Sequence, residues 1–106
     1  MAREPTRLRV VISRRAQLDL DEIWEYNVNA YGLEHADRYL SFLEDETARL
    51  AVDYKLFATV PNRPGLQRMT IRKGRGHGHV AVFEVKGETV EVLRYFHTAQ
   101  DWQGRQ

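Results

Sequence analysis

The chain has 106 residues, a formal net charge of +1 and no cysteine. This length supports one hydrophobic core, so we predict a single domain spanning residues 1–106. The lack of cysteine excludes disulfides and thiolate metal sites, and the four histidines lack the spacing of a zinc site, so we expect neither a metal ion nor a cofactor.

The N-terminal segment gives no sign of a targeting sequence. Residues 1–8 are polar and lack the apolar centre of a signal peptide, and no apolar run approaches the ~18 residues that span a membrane. We therefore expect a cytoplasmic protein without a membrane partner, with residues 1–7 flexible.

A short strand and a helical hairpin are predicted for the first half of the chain. Residues 8–12 are rich in β-branched side chains, and Ser13 is a typical helix N-cap. Apolar residues then recur at helical spacing, and Gly32 favours the end of that helix. A second helical stripe extends to Tyr54, and because about two residues separate the helices, they must form an antiparallel hairpin. The expected core includes Trp24, Tyr31, Leu40 and Leu43, whereas Asp19, Asp21, Glu22 and Glu25 are expected to face elsewhere.

Three antiparallel strands are predicted for the second half. Two prolines and a glycine break regular structure at residues 61–65. Residues 68–72 then alternate in polarity, and two further strands are predicted at residues 80–85 and 89–97. The fold class is therefore α+β: an N-terminal strand, an antiparallel helical hairpin and a three-stranded antiparallel sheet, which the first strand joins at an edge.

The last two strands have one apolar and one half-polar face. A turn at Lys86 and Gly87 would place Phe83 opposite Val90 on the apolar face, which is expected to pack on the helices. The other face is expected to face solvent or a partner, and its less polar members are Val80, Val82, Leu93 and Tyr95.

Charge is sorted along the chain. Residues 13–55 contain ten acidic and five basic side chains, a balance of −5, whereas residues 56–106 contain eight basic and four acidic side chains, a balance of +4. A basic surface attracts anionic partners, such as nucleic acid or a protein with an acidic surface. The alternative is that the same basic side chains are simply solvated at the protein surface and bind no target. The segment from Arg63 to His79 has no acidic residue, and its bases are Arg63, Arg68, Arg72, Lys73 and Arg75.

Several motifs together resemble ParE toxins of the RelE/ParE superfamily of bacterial type II toxin–antitoxin systems. They are residues 13–16, residues 19–26, Gly32 before Tyr39 and Leu40, residues 65–68 and residues 90–97. The likeness runs from Val10 to about Trp102. It implies a plasmid-stabilisation-type toxin that poisons DNA gyrase and is neutralised by a cognate antitoxin, either ParD-like or another small DNA-binding protein.

RelE-like members of the superfamily imply a different activity, ribosome-dependent cleavage of messenger RNA. That reaction needs a general base, an acid and cations over the phosphate. His97 is the only credible general base here, because arginine stays protonated and cannot accept a proton. Arg94 and Tyr95 lie near His97 in the sequence and complete this alternative catalytic set. The catalytic set of RelE-like nucleases includes lysines where this chain has only Lys73, so no enzymatic activity is expected. A histidine at a strand end is often structural, and Arg94 equally suits a tie between strand and helix. A third possibility is an inactive module that only binds antitoxin.

Two sets of binding residues follow from the resemblance, the basic segment and the apolar residues outside the core stripes. The C-terminal tail, residues 98–106, either folds back on the sheet or presents Trp102 to a partner. The predicted target-binding residues are Arg68, Arg72, Lys73, Arg75, Arg94 and Trp102. The predicted antitoxin-binding residues are Tyr26, Tyr39, Phe42, Val80, Val82, Leu93 and Tyr95.

Overall fold

The structure, a computed structural model, describes residues 7–76 and 78–99. Four strands form one sheet in the order β1–β4–β3–β2, in which β1 runs parallel to β4 and the other neighbours are antiparallel. The α+β fold and the edge position of the first strand are confirmed. With β1 the sheet has four strands, and it is mixed rather than purely antiparallel because β1 runs parallel to β4. The elements are β1 (Arg9–Ile12), α1 (Arg14–Tyr31), α2 (Leu33–Ala48), α3 (Leu50–Asp53), a 3-10 turn (Tyr54–Leu56), β2 (Gln67–Ile71), β3 (His79–Lys86) and β4 (Thr89–His97).

The ends of α1 follow the sequence signals. The Ser13 hydroxyl accepts a hydrogen bond from the Ala16 N–H at 3.0 Å and donates to the Leu93 carbonyl at 3.1 Å, so it caps the helix and ties it to β4. Gly32 has a φ of 95° and ends the helix. Within the part of the chain that the structure describes, no helix has both the length and the apolar composition to cross a bilayer.

The second helix is shorter than the sequence predicts. It ends at Ala48, because the Arg49 N–H bonds to the Glu46 carbonyl three residues back at 3.2 Å, which tightens the backbone. The apolar stripe nevertheless continues through α3, where Leu50 and Ala51 are buried.

The core lies between the hairpin and one face of the sheet. Leu43 is fully buried and Leu40 packs against the core, as expected. Trp24 is partly buried but lies outside the core cluster, because its indole N–H donates to Asp37 at 2.9 Å. Tyr31, in contrast, is 63% exposed, because it is the last residue of α1 and its ring lies against His35, 4.7 Å away between centroids, rather than in the core cluster. The principal core residues are Leu8, Ala16, Leu20, Leu43, Leu50, Met69, Ile71, Ala81, Phe83, Val90, Val92 and Tyr95.

The register of β3 and β4 differs from the prediction by two residues. Val85, rather than Phe83, lies opposite Val90, and Phe83 lies opposite Val92. A shift of two keeps each side chain on its face, so Phe83 and Val90 still pack on the helices. The shift follows from the turn, which Gly87 and Glu88 form instead of Lys86 and Gly87.

A β-bulge at Leu93 changes the faces of the last residues of β4. Val82 lies opposite Arg94, whereas the next residue, Phe83, lies opposite Val92, so Leu93 is an extra residue in the ladder. Tyr95 therefore turns toward the helices and is buried in the core, where the sequence predicted it on the half-polar face.

Candidate functional site

Two predicted target-binding arginines lie in one row across the outer face of the sheet, the face away from the helical hairpin. Arg68 of β2 lies opposite Val82 of β3, which in turn lies opposite Arg94 of β4. Two inter-strand spacings separate their Cα atoms by roughly 10 Å. The row brings these two predicted residues together.

Arg94 is held by a buried carboxylate from α1. Its Nε donates to Asp19 Oδ2 at 2.9 Å, and a second guanidinium nitrogen reaches Oδ1 at 3.3 Å. The same Asp19 Oδ2 accepts the backbone N–H of Tyr95 at 2.9 Å. Asp19 is only 4% exposed, so the prediction that it faces away from the core is wrong. This bidentate pair fastens α1 to the bulged part of β4, which makes Arg94 a tie between strand and helix.

Arg68 is also less free than a solvated arginine. Its backbone N–H donates to the Ala58 carbonyl at 3.0 Å, and its side chain is half-buried. Its Nε is buried and finds no hydrogen-bond partner among the residues that the structure describes. A buried donor without a partner is destabilising, so this nitrogen lowers the stability of the fold.

The turn between β2 and β3 carries three exposed cations, Arg72, Lys73 and Arg75, which we term the basic loop. None has a carboxylate within 4 Å among the described residues. Lys73 Nζ lies 5.8 Å from the centroid of the Phe42 ring, so one cation also contacts α2. The basic loop therefore presents positive charge that no internal partner neutralises.

The end of this turn depends on a glycine that sequence reasoning did not single out. A Cβ atom at Gly78 would lie 2.1 Å from the Ile71 carbonyl oxygen, so no other residue fits. Gly78 also binds the end of β4: its carbonyl accepts the Thr98 N–H at 3.0 Å, and its N–H donates to the Thr98 side-chain Oγ1 at 3.0 Å. The only sequence signal was its place next to a predicted strand, where glycine often marks close backbone approach.

The predicted antitoxin-binding residues do not form one surface. Tyr26 is 66% exposed, as expected, and Leu93 is half-buried. Val80 and Val82 are buried, because Val60 and Leu66 from the segment before β2 cover them together with Phe96. The expectation of an open face around these valines is therefore wrong.

Tyr39, Phe42 and Tyr95 pack into the protein to different degrees. Tyr39 and Phe42 are half-buried against the core, and the Tyr39 hydroxyl lies 2.6 Å from His79 Nδ1. Tyr95 is 3% exposed, and its hydroxyl lies 2.7 Å from Thr47 Oγ1. Burial raises the pKa of Tyr95 to about 12. The tyrosine hydroxyl is therefore a structural group, and Tyr95 offers no surface to a partner.

The three residues of the ribonuclease alternative are not brought together. The Arg94 guanidinium is bound to Asp19 of α1, Tyr95 is buried under α2, and His97 lies opposite His79 in the ladder. The rings of the two histidines lie 5.4 Å apart, and His97 Nδ1 accepts the Ala99 N–H at 3.1 Å. Burial, and secondarily the charge of His97, lowers the pKa of His79 to about 4.

Two predictions concern residues beyond those the structure describes. Trp102, most of the 98–106 tail and residues 1–6 lie outside the described residues. Among the described residues, no three histidine or carboxylate side chains are grouped so that they could hold a metal ion.

Comparisons with known proteins match nearly the whole chain. The family model for the ParE toxin of the type II toxin–antitoxin system parDE matches residues 10–102. Toxin ParE1 of Mycobacterium tuberculosis is 28% identical over 95 residues, which cover 88% of this chain and 92% of the relative. Toxin ParE1 of Caulobacter vibrioides is 29% identical over 96 residues, covering 85% and 88% respectively.

Two solved structures are also similar to this chain. A chain of the chromosomal ParDE system from P. aeruginosa superposes with a TM-score of 0.72 at 25% identity, covering 85% of this chain and 95% of that one. A conserved hypothetical protein from Helicobacter pylori, HP0894, superposes with a TM-score of 0.54 at 14% identity, covering 88% and 97%, and supports the fold alone.

Proposed function

The chain belongs to the ParE toxin family of type II toxin–antitoxin systems, and we propose that it inhibits DNA gyrase and is neutralised by a cognate antitoxin. Gyrase is the target that the ParE resemblance implies. The antitoxin partner is supported by the similarity to a chain of the ParDE system of P. aeruginosa. A ParD-like protein or another small DNA-binding antitoxin fits this role.

The basic loop is the observation that best supports a target-binding surface. Arg72, Lys73 and Arg75 are exposed and have no internal carboxylate partner among the described residues. Exposed cations contribute little to stability, so their arrangement is available for binding. An acidic protein surface or a DNA backbone would gain charge-assisted hydrogen bonds from these three side chains.

Arg68 extends the proposed target site onto the outer face of the sheet. Its side chain is half-buried, so its exposed part would offer a charge-assisted hydrogen bond to an anionic group of the target. Arg94 has a positioning role in this proposal, because its contacts with Asp19 hold β4 and α1 rather than reach outward. Trp102 stays a proposed target contact, because it is an aromatic residue that follows Arg94 by eight positions in the sequence.

The antitoxin would contact the exposed parts of the hairpin. Tyr26 is the most exposed aromatic residue of the predicted set, and Tyr39, Phe42 and Leu93 each present part of their surface. Aromatic side chains of this kind commonly anchor protein interfaces.

A ribonuclease activity finds no support in the geometry. A general base must lie within hydrogen-bond reach of the reacting hydroxyl, with cations over the same phosphate. Arg94 is bound to Asp19, and Tyr95 is buried with its hydroxyl against Thr47. We therefore favour gyrase inhibition over cleavage of messenger RNA by His97 with Arg68, Arg72 and Arg94.

The test is inhibition of supercoiling by purified gyrase. A variant with Arg72, Lys73 and Arg75 replaced by alanine should lose inhibition by at least about tenfold, since each charged contact at an interface is worth about 1 kcal/mol or more. The matched control replaces three other exposed cations, Arg9, Arg14 and Lys55, and should inhibit like the unmodified chain.

Three outcomes would count against the proposal. If both variants lose inhibition equally, net charge rather than the basic loop is responsible. Wild-type protein that leaves supercoiling intact but stops translation within minutes, with codon-phased cuts in ribosome-bound messages, would mean ribonuclease activity instead. A chain that affects neither process but copurifies with the product of the neighbouring small open reading frame would be an inactive antitoxin-binding module.

A further inference from the structure

The surface of the sheet half of the protein lacks exposed large apolar side chains. In the described part of the chain, every large apolar side chain that is exposed precedes residue 57, and the last of them is Leu56. Val80, Val82 and Phe96 of the outer sheet face are buried together with Val60. A surface that recognises another protein usually has an apolar centre with aromatic anchors, and the described residues of 57–99 do not provide one.

Positive charge is concentrated at one end of this surface. The basic loop lies at the turn between β2 and β3, whereas the acidic side chains of β3, β4 and their connection lie toward the opposite end of β3. They are Glu84, Glu88 and Glu91. Glu84 is five residues along β3 from His79, or roughly 17 Å, and it pairs with Lys86 at 2.8 Å. The acidic residues of the sheet are therefore too distant to neutralise the basic loop.

Arg72 lies on the outer face of the sheet beside Gly78. The alternation that buries Met69 and Ile71 places Thr70 and Arg72 together on the other face, where both are exposed. A Cβ atom at Gly78 would lie 2.9 Å from Arg72 Cγ, so the missing side chain leaves the space that the arginine stem crosses. Arginine and threonine side chains are both common ligands of nucleic-acid phosphates.

We propose that the basic loop, together with Thr70, binds the phosphate backbone of double-stranded DNA. Interfaces with DNA are polar and positively charged, and most of their hydrogen bonds go to phosphate and sugar, so they need no apolar centre. In the setting of gyrase inhibition, a step that rests on the function proposed above, the toxin contacts the DNA segment that gyrase holds rather than an acidic surface of the enzyme.

The lack of a stacking surface favours a duplex over a single strand. Proteins that bind single strands expose aromatic rings on which the bases stack. Where the structure describes residues 57–99, no phenylalanine, tyrosine or tryptophan is exposed. His97 is exposed, but its ring packs edge-to-face against His79, 5.4 Å away between centroids. Contacts with the backbone of a duplex depend on charge and require no such ring.

The three cations of the basic loop are not equivalent. Lys73 lines a shallow surface depression together with Asp37 and Asp45 of α2. These carboxylates oppose the approach of a phosphate to the Lys73 ammonium group. The guanidinium groups of Arg72 and Arg75 also present paired N–H donors whose geometry fits a phosphate. We therefore expect the two arginines to contribute most of the binding.

The test is the binding of a fluorescent DNA duplex of about 20 base pairs, measured by anisotropy at several salt concentrations and without gyrase. Each phosphate contact contributes about −0.9 to the slope of log K against log salt, so Arg72→Ala with Arg75→Ala should make the slope shallower by about 1.8 and weaken binding at least about tenfold at low salt. Lys73→Ala should weaken it by less than about threefold. The matched pair Arg14→Ala with Lys55→Ala removes the same charge from exposed positions and should bind like the unmodified chain.

Three results would overturn the proposal. The first is equal weakening by both variant pairs, which indicates only a general electrostatic field. The second is tighter binding of a single-stranded RNA of the same sequence. The third is polyglutamate that displaces the duplex as well as unlabelled DNA of equal charge, because an acidic protein surface would then be sufficient.

The supercoiling assay separates this proposal from gyrase inhibition. DNA binding that depends on Arg72 and Arg75, with supercoiling unaffected by the unmodified chain, would refute gyrase inhibition and support the DNA contact. Inhibition of supercoiling by a chain that does not bind the duplex would refute the DNA contact alone.

Discussion

Asp19 is expected to be the polar residue on which the packing of α1 against β4 most depends. Alanine at this position would leave the buried Tyr95 N–H without its acceptor, which costs about 1–3 kcal/mol, and would also leave the Arg94 guanidinium without its bidentate partner. Breaking a buried ion pair in this way costs about 3–5 kcal/mol, but the Arg94 side chain is 25% exposed and regains some hydration. We therefore expect Asp19→Ala to lower the free energy of unfolding by about 3 kcal/mol.

Asparagine at the same position separates the two contributions. Its carbonyl oxygen can still accept the Tyr95 N–H, whereas the charge that pairs with Arg94 is lost. We expect Asp19→Asn to cost about 1–2 kcal/mol, since hydrogen bonds to charged groups are worth more than neutral ones. Asp21→Ala, an exposed position on the same helix, serves as the control and should stay within about 0.5 kcal/mol of the unmodified chain.

Urea unfolding measured by circular dichroism tests this reasoning. In thermal unfolding of a domain of this size, the expected loss of about 3 kcal/mol for Asp19→Ala corresponds to a decrease in melting temperature of roughly 12 °C. If Asp19→Ala changes stability by no more than the Asp21→Ala control, the buried ion pair is energetically unimportant. If Asp19→Asn is as destabilising as Asp19→Ala, the hydrogen bond from the Tyr95 N–H contributes no measurable stability.

Three further substitutions or conditions have defined outcomes. Gly78→Ala should destabilise the protein by roughly 1–3 kcal/mol in urea unfolding, because its Cβ would overlap the Ile71 carbonyl, and an unchanged midpoint would contradict this. Tyr95→Phe should cost about 1 kcal/mol, because Thr47 keeps its bond to the Leu43 carbonyl and loses only the phenol contact. Because the pKa of His79 is lowered to about 4 in the folded protein against 6.5 when unfolded, the unfolded state binds more protons between these values. Stability should therefore fall by up to about 3 kcal/mol as the pH decreases from 6.5 to 4, and His79→Gln should remove most of that slope in unfolding curves recorded across this range.

Local signals were sufficient for the hairpin and for the inner face of the sheet. The Ser13 cap, the Gly32 helix end and the alternation around Phe83 depend on chemistry that lies within a few residues. Even the wrong register preserved the inner face, because an even shift leaves side-chain direction unchanged.

Features set by distant residues could not be predicted in this way. Nothing near Leu93 in the sequence marks the bulge. Beside it, Arg94 and the Tyr95 N–H donate hydrogen bonds to Asp19, which lies more than seventy residues earlier. Periodicity also cannot distinguish a carboxylate at the edge of a helical stripe from one in solvent, so the burial of Asp19 was missed. The cover over Val80 and Val82 comes from an irregular segment, which has no period to detect.

The sheet order has a consequence for how this toxin is synthesised. β4 is the last described strand of the chain, but it lies between β1 and β3 in the sheet. The contact between Ser13 and Leu93 joins residues 80 positions apart, so β1 has no neighbouring strand until β4 has been made. A nascent chain in which β4 has not emerged therefore lacks the finished sheet, and a truncated product that ends before β4 leaves β1 unpaired, while β3 keeps only β2 as a neighbour. Toxicity that depends on the folded sheet would thus begin only once β4 has been added, and an antitoxin that recognises the folded sheet would bind from the same moment.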